Sequence, residues 1–241
     1  MFQTGWWPIF ASNQISMQTS GSLPQPGLTS SYAFGWQQML KSFLFLFLLV
    51  IFLMFAESPA SVARDSDWDE SLLSPLLHLL ALIYTLLVLP VFSYGGDLLF
   101  VRAVREEPLE IQAVVQGFRE NYLHIVLAHL LTSALIILGF LFLIIPGIIL
   151  ACRLVFVSYL VMDKGLEPIA AIEKSWEMTR GQGFRIFGMG LLAIPIFILG
   201  LLCLVVGAFV SVMWIKAAFA SLYVATDRQQ QAAEDPYIVR E

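Results

Sequence analysis

Charge is what this 241-residue chain has least of: 13% of its residues are charged, about half the share of an ordinary soluble domain. That scarcity excludes a soluble enzyme or soluble binding domain. The 13 Lys+Arg stand against 18 Asp+Glu with no basic tract, which excludes nucleic acid as a partner. The two cysteines, Cys152 and Cys203, both lie inside apolar runs, so neither a disulfide framework nor a metal site is expected. Also missing are an HExxH pair, a glycine loop that could cradle phosphate and a Ser/His/Asp order. No catalytic residue, metal or cofactor is therefore expected, and the chain reads as a non-enzyme. A cleaved signal peptide would need a basic start and a continuous apolar core, and the first residues have neither.

Apolar sequence takes the place of charge, with 59% hydrophobic residues and mean hydropathy +0.80. Crossing a bilayer core takes about 20 apolar residues, and several stretches reach that length. Tyr122 to Met162 contains a single formal charge, Arg153. As one helix it would be about 60 Å long, twice the hydrocarbon thickness, so a turn at Ile145-Pro146-Gly147 is expected to fold it into two spans. Phe184 to Thr226 repeats the design around Lys216, with a break near Gly207. The expected fold is all-α: a polytopic membrane protein with six transmembrane helices as three hairpins, joined by short cytoplasmic amphipathic helices. Spans are expected at about 39–56, 72–92, 121–143, 148–162, 187–206 and 208–224. They form one domain over 36–226, between an uncharged N-terminal arm (1–35) and an acidic, disordered cytoplasmic tail (227–241).

An internal repeat supports the hairpins. Ile111-Gln112-Ala113-Val114 leads through Gly117-Phe118-Arg119 into the third span, and Ile169-Ala170-Ala171-Ile172 through Gly183-Phe184-Arg185 into the fifth. Each unit then carries Ile-Leu-Gly (137–139 and 198–200), a central break, and an exit at Ser158–Asp163 or Ser221–Asp227. The connecting helices are expected at 108–119 and 167–179. The first has Leu109, Ile111, Val114, Val115 and Phe118 on its apolar face; the second has Ile169, Ile172, Trp176 and Met178. Basic residues collect on one side of the spans, at Arg102, Arg105, Arg119, Lys164, Lys174, Arg180, Arg185, Arg228 and Arg240, whereas the 57–71 loop has only Arg64. By the positive-inside rule both termini face the cytoplasm, in a prokaryotic inner membrane.

Ionisable residues at membrane depth are the default functional candidates, because their burial is costly unless they are paired or hydrated. His78, His124, His129, Arg153 and Lys216 qualify, and no Asp or Glu falls within the expected spans. Arg153 and Lys216 occupy equivalent positions in the two repeats. They could receive an anion such as a phosphate headgroup, or each could snorkel to the surface or bond to loop carbonyls. His129 with Ser133 suits interhelical hydrogen bonding. Arg102, Arg105, Arg180 and Arg185 are candidate cytoplasmic contacts. Gly95-Gly96-Asp97 is expected to close the second span by helix termination, with a phosphate nest as the alternative. Ala217, Ser221 and Ala225 form a small-residue stripe for packing within the chain or between copies. Trp6 and Trp7 could dock at the membrane interface or in a partner's groove.

Leu143-Ile144-Ile145-Pro146-Gly147-Ile148-Ile149, Val161-Met162-Asp163-Lys164-Gly165, Ala170-Ala171, Lys174-Ser175-Trp176 and Thr179-Arg180-Gly181 together carry a resemblance. The chain resembles a broad group of prokaryotic integral membrane proteins that includes YciC-type proteins and the membrane-anchor domain of some glycerophosphodiester phosphodiesterases. The likeness covers about residues 90–225, with Gly95-Gly96 and Arg102-Ala103-Val104-Arg105 in its earlier part. It implies a compact helical membrane domain; no soluble phosphodiesterase domain accompanies it here, so that activity is not implied. Two roles remain open. One is a non-enzymatic accessory or assembly subunit, or lipid-contacting organiser, whose partners are membrane lipids and other membrane-protein subunits or a second copy of the chain. The other is a transporter or translocator of an anionic lipid or small anion, since interrupted helices at repeat-related positions often line substrate sites.

Overall fold

The computed structural model describes residues 27–65, 73–112 and 121–234, all helical or in short connections, with no strand among them. Trp6, Trp7 and most of the expected 108–119 helix lie outside the described residues. The helices are α1 (Leu28–Lys41), α2 (Phe43–Asp65), α3 (Leu73–Ile83), α4 (Leu89–Val104), α5 (Tyr122–Phe142), α6 (Ile144–Arg153), α7 (Val157–Lys164), α8 (Pro168–Met178), α9 (Gly183–Leu202) and α10 (Leu204–Glu234). Five stretches are long and apolar enough to cross a membrane: Pro75–Val104, Tyr122–Phe142, Ile144–Lys164, Gly183–Leu202 and Val206–Ala233. A sixth exists if α1 and α2, bent by 99° at Ser42, count as one span. This is a polytopic helical membrane protein.

The outer surface is as greasy as the interior. Phe184 is 93% exposed and Leu141 80%, and only lipid makes such a surface tolerable. The core holds Met39, Leu46, Leu99, Phe100, Ile125, Phe156, Leu160, Met213 and Tyr223, drawn from α1, α2, α4, α5, α7 and α10.

Several boundaries differ from the expected ones, for identifiable reasons. The helix through Pro90 does not stop near residue 92. Pro90 cannot donate to the carbonyl four residues back, so the turn before it widens: Tyr84–Val88 is a π-helix and the Leu89 N–H bonds to the Tyr84 carbonyl. Beyond it α4 runs to Val104, carrying Gly95, Gly96 and Asp97 in its interior. Gly96 therefore ends nothing and forms no nest. A Cβ there would stand 2.7 Å from Leu53 Cδ1, so the glycine lets α2 approach.

The turns at the other end also shift. The α5/α6 break is the single extended residue Leu143 (φ −164°, ψ 154°), and Pro146 sits in the first turn of α6, where no intrahelical N–H is missed. The α9/α10 break is Cys203, not Gly207. Gly147 and Gly207 instead lie just past the turns, against the glycines of the repeated Ile-Leu-Gly. A Cβ on Gly139 would be 3.0 Å from Gly147 Cα, and one on Gly207 would collide with the Gly200 carbonyl oxygen. The repeat thus places glycine where the backbones on either side of each break touch.

The last residues of the expected arm and the first of the expected tail are helical. Residues 28–35 belong to α1, which packs against α10: a Cβ on Gly35 would be 2.8 Å from the Ala218 nitrogen. Trp214 Nε1 donates to the Tyr32 carbonyl at 2.9 Å, and the Tyr32 hydroxyl donates to the Met189 carbonyl at 2.9 Å. Ala217, Ser221 and Ala225 are buried here, so the small-residue stripe serves packing within the chain and is closed to self-association. At the far end α10 continues past Asp227 to Glu234.

Gly147→Ala should lower the thermal midpoint of the detergent-solubilised protein by the equivalent of about 1–3 kcal/mol, the cost of overpacking. The new methyl would meet the Phe140 ring at 2.5 Å. Gly190→Ala meets nothing within 4 Å and should be neutral or mildly stabilising. Equal midpoints for the two variants would refute this account of the turn.

Candidate functional site

Three segments meet in a knot of charges. Arg105, just past α4, holds Asp163 of α7 through two parallel bonds, Nη1–Oδ1 at 2.5 Å and Nη2–Oδ2 at 2.8 Å. The Tyr223 hydroxyl of α10 donates to Asp163 Oδ2 at 2.8 Å. Lys164 pairs with Asp227 of α10, and Arg105 Nη2 lies 3.8 Å from the other Asp227 oxygen, which also accepts from Gln231 at 2.8 Å. Two cations and two anions cancel, and all four carboxylate oxygens accept a hydrogen bond, which is the condition under which buried ions are tolerated. Burial would lower the Arg105 pKa, but the hydrogen bond and charge of Asp163 outweigh it and the net shift is upward. Arg105 is thus a structural clasp, not the free surface cation expected.

Asp163 and Asp227 are the acids at the two repeat exits, which the sequence reading aligned without assigning them a role. Asp227, read as the first residue of a disordered tail, is 3% exposed, whereas Arg228 and Gln229 after it are exposed.

A second tie lies beside the knot. Glu106 has a left-handed backbone (φ 60°), and its carboxylate accepts from Lys41 Nζ at 2.7 Å and Gln38 Nε2 at 3.0 Å. These bonds hold its pKa below the usual range. Its stabilising effect is therefore present at neutral pH and lost as pH falls through that lowered value; solvent exposure keeps it small.

The two intramembrane cations have separate environments. Arg153 ends α6, where the span breaks before α7 resumes at Val157. Ser175 and Thr179 of α8 receive the freed backbone. Ser175 Oγ donates to the Arg153 carbonyl at 2.8 Å and accepts from the Phe156 N–H at 3.3 Å, while Thr179 Oγ1 reaches the same carbonyl at 3.3 Å. The Arg153 guanidinium stacks on Trp176, 5.2 Å from the ring centroid. These are the motif residues 174–180 on which the family resemblance leans. The face that α8 buries is Ala171, Ser175 and Met178, while Ile169 and Trp176, on the apolar face read from the sequence, are exposed.

Lys216 meets a carboxylate after all. Its Nζ is 2.7 Å from Asp97 Oδ1, and because α4 extends to Val104 this acid lies inside a span. The premise of a free cationic pair fails: Lys216 is neutralised by Asp97, and Arg153 is covered by Trp176. Lys216 also lines a cavity of about 290 Å³ between α2, the π-turn, α4, α5 and α10. Its polar lining is Glu57, Thr85, Ser93, His129 and Lys216, and its apolar lining includes Val50, Leu53 and Pro90.

Of the remaining candidates, His129 faces this cavity edge-on to Tyr94 (6.2 Å) and makes no hydrogen bond with Ser133. His124 buries Nδ1 without a partner among the described residues, His78 is exposed on α3, and Arg102 is half-buried. Arg180 and Arg185 are exposed, Arg180 beside Glu173 and Glu177 in an open groove. No group of His, Cys, Asp and Glu among the described residues could hold a metal ion. No family model, curated protein or solved structure matches this chain.

Asp97→Asn leaves Lys216 without its counter-charge and should cost about 3 kcal/mol of stability, read as a lowered thermal midpoint in detergent. Asp97→Leu with Lys216→Met should recover most of that loss. If Asp97→Asn melts like the parent chain, the ion pair does not exist.

Proposed function

We propose that this is a non-enzymatic, lipid-contacting integral membrane protein of the cytoplasmic membrane, an organiser or accessory subunit of the group it resembles. Its three hairpins run with both termini in the cytoplasm, and the ionic knot lies on the cytoplasmic side. The buried charge clasp of Arg105, Asp163, Lys164 and Asp227 is the observation that carries this reading. A translocator rocks its repeats against one another. Here the repeat exits are tied together by a network whose opening would strand buried charges, each costing several kcal/mol. A packed, static bundle with a wide apolar exterior suits a scaffold for lipid or for a partner subunit.

A second reading, a translocator of lipid headgroups, draws support from one observation: the cavity reaches Lys216 within the membrane. Vesicles carrying a headgroup-labelled phospholipid distinguish the two. With the protein reconstituted, a membrane-impermeant quencher should extinguish only the outer-leaflet probe, as in protein-free vesicles. Complete quenching would replace the organiser with the translocator.

Sidedness has its own check. Cys203 is exposed at the α9/α10 turn, whereas Cys152 is half-buried within α6. An impermeant maleimide added to intact spheroplasts should label Cys203. Labelling only after lysis would reverse the topology.

A further inference from the structure

The cavity beside Lys216 gathers several polar side chains that are not closed on one another. Glu57 makes no hydrogen bond or ion pair with another described residue, and neither does Ser93. His129 has only its ring contact with Tyr94. Lys216 spends one N–H on Asp97, leaving two. Unmet hydrogen-bonding capacity at membrane depth is costly, so these groups require water or a polar ligand. The rest of the lining, including Val50, Leu53, Met54, Pro90 and Val212, is apolar, so the cavity is amphipathic.

The sign of its charge selects the ligand. Lys216 is offset by Asp97, and Glu57 then adds a carboxylate with no counter-charge among the described residues. A purely anionic headgroup would meet net negative charge. A zwitterion would not: an ammonium can pair with Glu57, while its phosphate accepts from the spare N–H groups of Lys216 and from Ser93 and His129. Glu57 and Met54 are exposed at the rim and Val50 is buried deeper, so ammonium at the rim and phosphate within fits the lining. At about 290 Å³ the cavity is at the small end of ligand pockets, large enough for a headgroup while the acyl chains stay in lipid. The widened π-turn contributes Thr85 to the wall, and such turns often occur at binding sites.

We infer that this cavity binds the headgroup of a zwitterionic aminophospholipid, phosphoethanolamine in type, with Glu57 as the determinant that excludes anionic lipids. The inference rests on the lipid-contacting role proposed above and gives that role a site and a lipid class.

The test is native mass spectrometry of the full chain in detergent with equimolar phosphatidylethanolamine and phosphatidylglycerol. The parent chain should retain phosphatidylethanolamine about fivefold over phosphatidylglycerol, the effect of one solvent-exposed ion pair worth about 1 kcal/mol. Glu57 is exposed, so its substitution does not threaten folding. Glu57→Gln should abolish the preference, and Glu57→Lys should reverse it toward phosphatidylglycerol. Equal or greater retention of phosphatidylglycerol by the parent chain would overturn the headgroup assignment and leave the lipid-contacting role standing. An unchanged preference in both variants would overturn the part given to Glu57. Retention of neither lipid would overturn the assignment and the broader role together.

Discussion

A charge or backbone carbonyl deprived of water must find a partner inside the protein, and this bundle is arranged around that requirement. The strongest case is the clasp between Arg105, Asp163, Lys164 and Asp227, in which two cations and two anions from three segments neutralise one another. Water would make such pairs nearly worthless. Desolvated, they are costly to separate, because breaking one strands the other charges. The clasp fixes the ends of α4 and α7 against the Tyr223–Asp227 turn of α10.

The same requirement explains α8. Interrupting the span at Arg153 frees a carbonyl and an N–H, and Ser175 presents one hydroxyl that satisfies both. Trp176 then covers the guanidinium. A short helix that reads as an amphipathic surface element is thereby a plug whose small, polar face points inward. The repeat gains meaning in the same terms: its glycines permit backbone contact at each break, and its exit acids enter one network from two sides.

Against this background the cavity beside Lys216 is an exception. Lone buried polar atoms occur elsewhere, at His124 and Thr132 for example, but here several polar side chains converge on one accessible cavity without closing on each other. Unsatisfied polarity converging on one cavity marks a place for something from outside the chain. The net charge of that lining, set by Glu57 once Lys216 is paired, turns a general expectation of anion binding into a narrower one for a zwitterion.

The apolar runs and their lengths were enough to establish a helical membrane protein, because a greasy segment of this size has no other stable environment and helix is the conformation that satisfies its backbone there. The third span emerged almost residue for residue, and the Ile-Leu-Gly repeat correctly marked the neighbourhood of both turns. Pairings were not legible. Asp97 looked like a residue past the end of a span, since nothing local announces that Pro90 is absorbed by a π-turn and the helix continues. Asp163 and Asp227 looked like solvated ends, and residues 28–35 like a loose arm. Each of these depends on contacts between segments far apart in the chain, Lys216 with Asp97, Arg105 with Asp163, Gly35 with Ala218. Hydrophobic content acts locally and can be read along the chain. Charge compensation and close backbone approach are properties of neighbours in space, and only the folded bundle supplies those.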